Sequence, residues 1–181
     1  MEFEFDFEDK IGKFPEYEEI FKKVYEFLLK KLCKPIYHIL SLSLLDEEES
    51  LYTNKTYRGK DYVADVITFA YLDDKTEEEN EFFVDLGDIM ICPAQVKKRA
   101  DEIGNDFQEE MIYLFIHGFL HILGYDHVND EEEARIMFNK QDELFNEYIY
   151  RNYISIFDES VLVEIINSVL FLLNYSPFKK I

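Results

Sequence analysis

The sequence predicts an α+β domain. All strand-type alternation lies before residue 93, and three helical patterns follow it, an order that favours α+β over an alternating doubly wound fold. The composition supports one core: 181 residues, 48% of them hydrophobic, with only 6 Gly and 4 Pro to break or loosen it.

The elements follow in chain order. Residues 2–8 alternate acids with Phe3, Phe5 and Phe7, the pattern of a half-buried strand. Pro15 is expected to open a helix, at a favoured first-turn position. Tyr17, Ile20, Phe21, Val24, Tyr25 and Leu28 then fall on one helical face. Pro35 closes that segment, and residues 36–45 read as a second strand. A short helix and turn are expected over 47–57, and strands over 65–71 and 82–92, joined by an acidic loop around 73–80. Helical patterns cover 94–103, 107–123 and 130–153. Residues 1–153 are read as a single domain. Beyond them, 154–181 carries Val161-Leu162-Val163 and Val169-Leu170-Phe171-Leu172-Leu173, interrupted by Glu164 and Asn167. Those runs fall short of the ~20 residues of a membrane span. A helical extension packed on the domain is expected, with a partner-binding or membrane-surface helix as the alternative.

The formal charge of -20 does not suggest a nucleic-acid binder, whose usual footprint is basic. Two local basic clusters oppose it: Lys55 with Arg58 and Lys60, and Lys97-Lys98-Arg99. The acidic runs at 46–49, 73–81 and 130–133 read as solvated faces. Cys33 and Cys92 are too few for a disulfide framework, and the acidic first residues do not resemble a secretory signal, so a reducing cytoplasm is the expected setting.

Three of the four histidines lie close together: His117, His121 and His127. Residues four apart share a helical face, about 5–6 Å from each other, so His117 and His121 can aim at one point. On a continuing helix His127 would sit ~15 Å along the axis from His117 and on another face. The helix must end between them. Gly124 permits this, because glycine takes the left-handed conformation at a helix C-terminus without steric penalty. His127 can then supply a third ligand. Zinc suits neutral imidazoles, and three protein ligands leave a fourth position open, as in catalytic sites. His38, alone on its element, reads as a core residue.

The spacing His-x-x-x-His-x-x-Gly-x-x-His is that of the metzincin proteases, where a Glu after the first His is the general base. Gly118 occupies that place here and cannot accept a proton. Peptide hydrolysis by that route is disfavoured, although a metal can acidify water without an adjacent base.

From His117 to His127 the sequence resembles the YbeY family of bacterial endoribonucleases, with Ile122 replacing a Leu. The likeness extends to 54–61 (Asn-Lys-Thr-Tyr-Arg-Gly-Lys-Asp), to Asp65-Val66-Ile67-Thr68-Phe69, to Leu86-Gly87-Asp88-Ile89 and to Glu110. It covers roughly 51–144, with departures at Ala64, Thr68 and Ala70. The resemblance implies a mixed sheet of about four strands beside helices, with a metal at a cleft mouth and Arg58 facing it. It further implies a zinc-dependent, single-strand-specific endoribonuclease of rRNA maturation and ribosome quality control. One zinc per chain would be held by His117, His121 and His127. The partners implied are rRNA, ribosomal subunits and ribosome-assembly proteins, without a membrane. Arg58 is the expected catalytic residue, since a guanidinium can grip a phosphate through two hydrogen bonds and neutralise growing charge. Lys60 and 97–99 could guide the RNA backbone. Asp126 is an expected partner of a ligating ring, whereas Asp65 and Asp88 are read as structural. The rival readings are a metallohydrolase of peptides or other non-nucleic substrates, and a ribosome-assembly binding factor with a structural zinc.

Overall fold

The computed structural model describes residues 2–71, 83–128 and 130–156. Its elements run β1 (Phe3–Asp9), α1 (Tyr17–Leu32), β2 (Tyr37–Leu44), α2 (Glu47–Arg58), β3 (Val66–Ala70), β4 (Phe83–Ile91), α3 (Pro93–Ile103), α4 (Phe107–Ile122) and α5 (Glu131–Ile156). The α+β expectation holds, element by element. The acidic loop expected around 73–80 and the tail from 157 lie outside the described residues. The chain divides into two compact units, Met1–Phe145 and Asn146–Ile181. In the second, the described part of α5 carries an Arg151–Glu147 ion pair at 2.7 Å. Among the described residues, no helix is long and apolar enough to cross a membrane.

The four strands form one mixed sheet in the order β1-β2-β4-β3. β1–β2 and β2–β4 are parallel, and β3–β4 is antiparallel. Helix α1 is the crossover that parallel β1 and β2 require. Phe3, Phe5 and Phe7 point from β1 into an aromatic core: Phe3 and Phe5 pack on Tyr25, Phe5 on Phe115, and Phe7 on Phe21. Pro15 does not open α1. It sits in the turn before the helix, where Tyr17 N–H reaches Phe14 O and Glu18 N–H reaches Pro15 O. The helix starts at Tyr17, behind Glu16.

Helix α4 is the central helix. Asp106 caps it through the N–H groups of Gln108 and Glu109, and buried residues surround it from Glu110 to Ile122. It packs on β3, β4, α1 and α3. Its approach to the sheet depends on Gly118. A Cβ there would stand 3.1 Å from Thr68 Cγ2, 3.2 Å from Ile89 Cγ2 and 3.4 Å from Val66 Cγ2. The glycine that removes a general base is therefore also the close contact between α4 and β3 and β4, and a side chain at 118 would require Thr68, Ile89 and Val66 to give way.

A second glycine is fixed by the sheet. Register shifts between Ile39 and Ser41, so that Leu86 and Gly87 lie opposite Leu40. Gly87 has φ 122, and a Cβ there would come within 2.0 Å of Phe69 O. Only glycine lets this bulge pass beside β3.

Candidate metal centre

Helix α4 ends as the sequence requires. Gly124 takes φ 87, its N–H reaches His121 O at 3.0 Å, and Tyr125 N–H reaches Leu120 O at 3.1 Å. These two bonds close the helix end around a left-handed glycine. The same turn places Tyr125 O 2.9 Å from His121 Nδ1. The chain then returns, and Asp126 Oδ1 accepts from the N–H groups of His127 and Val128. Asp126 thus shapes the backbone that carries His127. It does not bond a ring, contrary to expectation.

The three rings converge. Their centroids lie 4.6 Å (His117–His121), 5.1 Å (His117–His127) and 5.0 Å (His121–His127) apart. One ligand atom from each falls within 4.8 Å of the others. The tautomers of two follow from their partners. Gln141 Nε2 donates to Tyr113 O at 3.1 Å, which fixes the amide so that its Oε1 faces His117 Nδ1 at 3.0 Å. A carbonyl oxygen accepts only, so Nδ1 of His117 carries a proton. Nδ1 of His121 carries one for the same reason, facing Tyr125 O. Both Nε2 atoms are then bare lone pairs, and they meet at 3.1 Å. Two acceptors face each other with no proton between them, and a shared cation is the group that satisfies both. On this donor chemistry the site fits a metal ion.

Burial favours the neutral form of His117 and His121. Desolvation lowers the pKa of His117, opposed by its bond to Gln141. Desolvation, and then the charge His117 would carry, bring His121 down to about 4. Neutral imidazole is the form that binds a metal. Phe138 of α5 lies against the ring of His117, with centroids 6.2 Å apart, and against that of His127 at 5.2 Å.

The rings open into a cleft of about 340 Å³, lined also by Arg58, Asp65, Thr68 and Arg99. Arg58 is the last residue of α2, before Gly59 ends the helix at φ 66. Asn54, fully buried, holds the following loop: its Nδ2 donates to Tyr62 O at 2.9 Å, and its own backbone carbonyl accepts from Lys60 N–H at 3.2 Å. Arg58 is exposed and has no ion-pair partner among the described residues. Its neighbour Lys55 is tied to Asp61 at 2.9 Å. Asp88, read as structural, receives the Tyr71 hydroxyl. Asp65 lines the cleft and lies 3.6 Å from Arg99 Nη1.

Sequence reasoning missed Gln141 and the pairing of Arg99 with Glu110. Gln141 did leave a signal: it is a polar residue in the buried stripe Met137-Gln141-Leu144 of α5. Glu110 is likewise a carboxylate on the core side of α4, 2% exposed, bound by Arg99 Nε at 2.6 Å and Asn105 Nδ2 at 3.0 Å.

Comparison with known proteins gives a consistent result. Residues 4–149 match the family model described as Endoribonuclease YbeY. The endoribonuclease YbeY of Staphylococcus epidermidis is 45% identical over 112 residues, covering 60% of this chain and 72% of that protein. That of Ureaplasma parvum serovar 3 is 37% identical over 142 residues, covering 78% and 84%. Among solved structures, the solution structure of TM1509 from Thermotoga maritima matches with a TM-score of 0.56 at 29% identity, covering 85% of this chain and 96% of that one.

Proposed function

The chain belongs to the YbeY endoribonuclease family, and from that premise we propose that it is a zinc-dependent endoribonuclease that cuts single-stranded RNA in rRNA maturation and ribosome quality control. The observation that carries the reading is the pair of facing Nε2 lone pairs in a cleft also lined by Arg58, which has no ion pair among the described residues. We assign His117, His121 and His127 as the metal ligands and Arg58 as the catalytic arginine. An all-imidazole set of three suits zinc and leaves room for a non-protein ligand. We take the working partners to be rRNA and ribosomal subunits in the cytoplasm, with ribosome-assembly proteins beside them. Residues 1–153 are taken as the catalytic domain, in keeping with a family match that ends at 149, and 154–181 as a helical extension.

When bound, the metal supplies Lewis acidity, acidifying a water and polarising a phosphate oxygen. The chain's own residues do the rest. Gln141 Oε1 and Tyr125 O hold the protons of His117 and His121 on Nδ1, so the Nε2 atoms stay available and correctly aimed. Arg58 brings its exposed guanidinium to the phosphate, and its planar fork can bind two oxygens as negative charge grows. Gly118 offers no carboxylate, which separates this site from the peptidases that share its spacing.

The test is to purify the full chain, assay its metal, and incubate it with structured rRNA and with casein. His121→Ala should lose the metal and the RNA cleavage together. Arg58→Ala should keep the metal and lose about 10²–10³-fold in cleavage, the size expected for one charge-stabilising donor. Casein turnover, or RNA cleavage that persists after chelation, would overturn the reading.

A further inference from the structure

Arg99 stands between two clefts. It lines the cleft of the histidines, and it also lines an adjoining one of about 320 Å³ with Tyr62, Gln95, Lys98 and Glu102. Tyr62 and Asp65 line both as well, so the two lie side by side. The guanidinium at the junction is built in. Its Nε donates to Glu110, a buried carboxylate that has no other charged partner among the described residues, and Nη1 leans toward Asp65. Its Nη2 has no hydrogen-bond partner among the described residues. Lys98, one residue earlier on α3, is exposed and forms no ion pair among the described residues, whereas Lys97 is tied to Asp101. Across the second cleft from Lys98, Tyr62 is 53% exposed, on the loop that buried Asn54 anchors.

Building on the endoribonuclease reading, we propose that this second cleft is a binding site for the nucleotide next to the scissile one. Arg99 grips the phosphate at the junction, Lys98 attracts the backbone beyond it, and Tyr62 stacks the base. The chemistry is that of single-strand recognition: cations track phosphates, and an aromatic face takes any base. Asp65 and Glu102 fit the same ligand, because carboxylates accept from ribose hydroxyls and base amino groups. A chain with 39 acids and 19 bases cannot hold RNA by bulk charge, so a strand needs local cations, and this path supplies them in sequence: Arg58 and Lys98, without an ion pair among the described residues, and between them Arg99, which keeps Nη2 open while Glu110 holds its Nε.

The test is equilibrium binding of a short fluorescein-labelled single-stranded oligoribonucleotide to the full chain in chelator, followed by anisotropy over a range of salt. Lys98→Ala and Arg99→Gln should each weaken binding by about 3–10-fold and reduce the salt slope by about 0.7, one phosphate contact on a single strand. Tyr62→Ala should weaken it about tenfold and leave the slope unchanged. Lys22→Ala, which changes the net charge equally on α1, should bind as the parent does. If Tyr62→Ala and Lys98→Ala weaken binding no more than Lys22→Ala while Arg58→Gln does, the flanking site is wrong and the catalytic cleft stands. If the parent chain itself binds no RNA, the flanking site falls, and the endoribonuclease reading rests on the cleavage assay of the metal-loaded chain. Arg99→Gln strips buried Glu110 of its cation and can lower the melting temperature. In that case the two exposed positions, Tyr62 and Lys98, decide the matter.

Discussion

The two walls of the cleft are built by opposite rules. The histidine wall is short in sequence and half-buried, and two of its rings are locked through Nδ1 by Gln141 and Tyr125. The arginine wall is drawn from distant elements, α2 and α3. Arg58 stands exposed without an ion pair among the described residues, and Arg99 keeps one nitrogen without a partner among them. The difference reflects the cost of burial. A neutral imidazole can be taken out of water once its N–H has an acceptor, whereas a guanidinium cannot unless a carboxylate goes with it. So the wall whose lone pairs suit a cation is preorganised and half-buried, and the wall whose guanidinium groups suit an anion stays in solvent.

The largest effect should come from breaking the rule on the histidine wall. Gly118→Glu restores the carboxylate of the proteases that share the spacing. Its Cβ would press on Thr68, Ile89 and Val66, and its charge would enter a buried helix face. We expect a loss of about 3–5 kcal/mol in stability, the cost of an unpaired buried charge, and no peptidase activity. Urea denaturation followed by circular dichroism measures it. A stable variant that cleaves casein would show that the glycine seats nothing.

Next in size is Gln141→Leu, which removes the acceptor of His117 but leaves all three rings. Metal affinity should fall 10–100-fold, as is usual when a ligand's outer partner is lost, with RNA binding in chelator unchanged. Competition with a chromophoric chelator reads the first and anisotropy the second. An affinity equal to the parent's would mean that the helix alone orients His117.

A smaller effect is expected on the arginine side from Asn54→Ala. The substitution loses the bond to Tyr62 O. Because Asn54 Oδ1 is itself buried without a partner among the described residues, removing it offsets part of that loss. The net should be about 1 kcal/mol in stability. RNA cleavage should drop several-fold at full metal content, since the loop after Arg58 is loosened. A drop in metal content instead would show that the two walls are not independent.

The same contrast explains what could be read from the sequence. The histidine wall is local: i, i+4 spacing and a glycine turn fix it within a few residues, so His117, His121, His127 and the bend at Gly124 were all legible. The strands and helices were legible from their periods, with α5 running on to Ile156 past the expected Tyr153. Pro15 misled because a fixed φ suits a turn before a helix as well as its first residue. Asp126 misled because a short carboxylate beside a ligand bonds the nearest N–H groups first, here those of His127 and Val128. Gln141 was marked by its place in an apolar stripe, but its partner, like the Arg99–Glu110 pair, was out of reach because helix packing sets it, and nothing in the spacing from 117 to 141 specifies which face of α5 meets α4.

His38 offers the finest test, because it is a histidine outside both walls. It lies in β2, 3% exposed, with Nδ1 2.9 Å from Ile36 O. Desolvation lowers its pKa below the usual 6.5, more than the bond to Ile36 O restores. The unfolded chain therefore binds a proton here more readily than the folded one, and stability must rise with pH over that interval. The contribution is fully present above pH 6.5 and is lost as the pH falls from there toward the folded pKa. Chelator keeps the three clustered histidines free of metal, so their own titration is common to parent and variant. In chelator, His38→Leu should therefore show a shallower fall in urea midpoint between about pH 7.5 and 5.5 than the parent. Parallel curves would mean that this ring takes its proton equally in both states, and that burial alone does not hold an imidazole neutral in this fold.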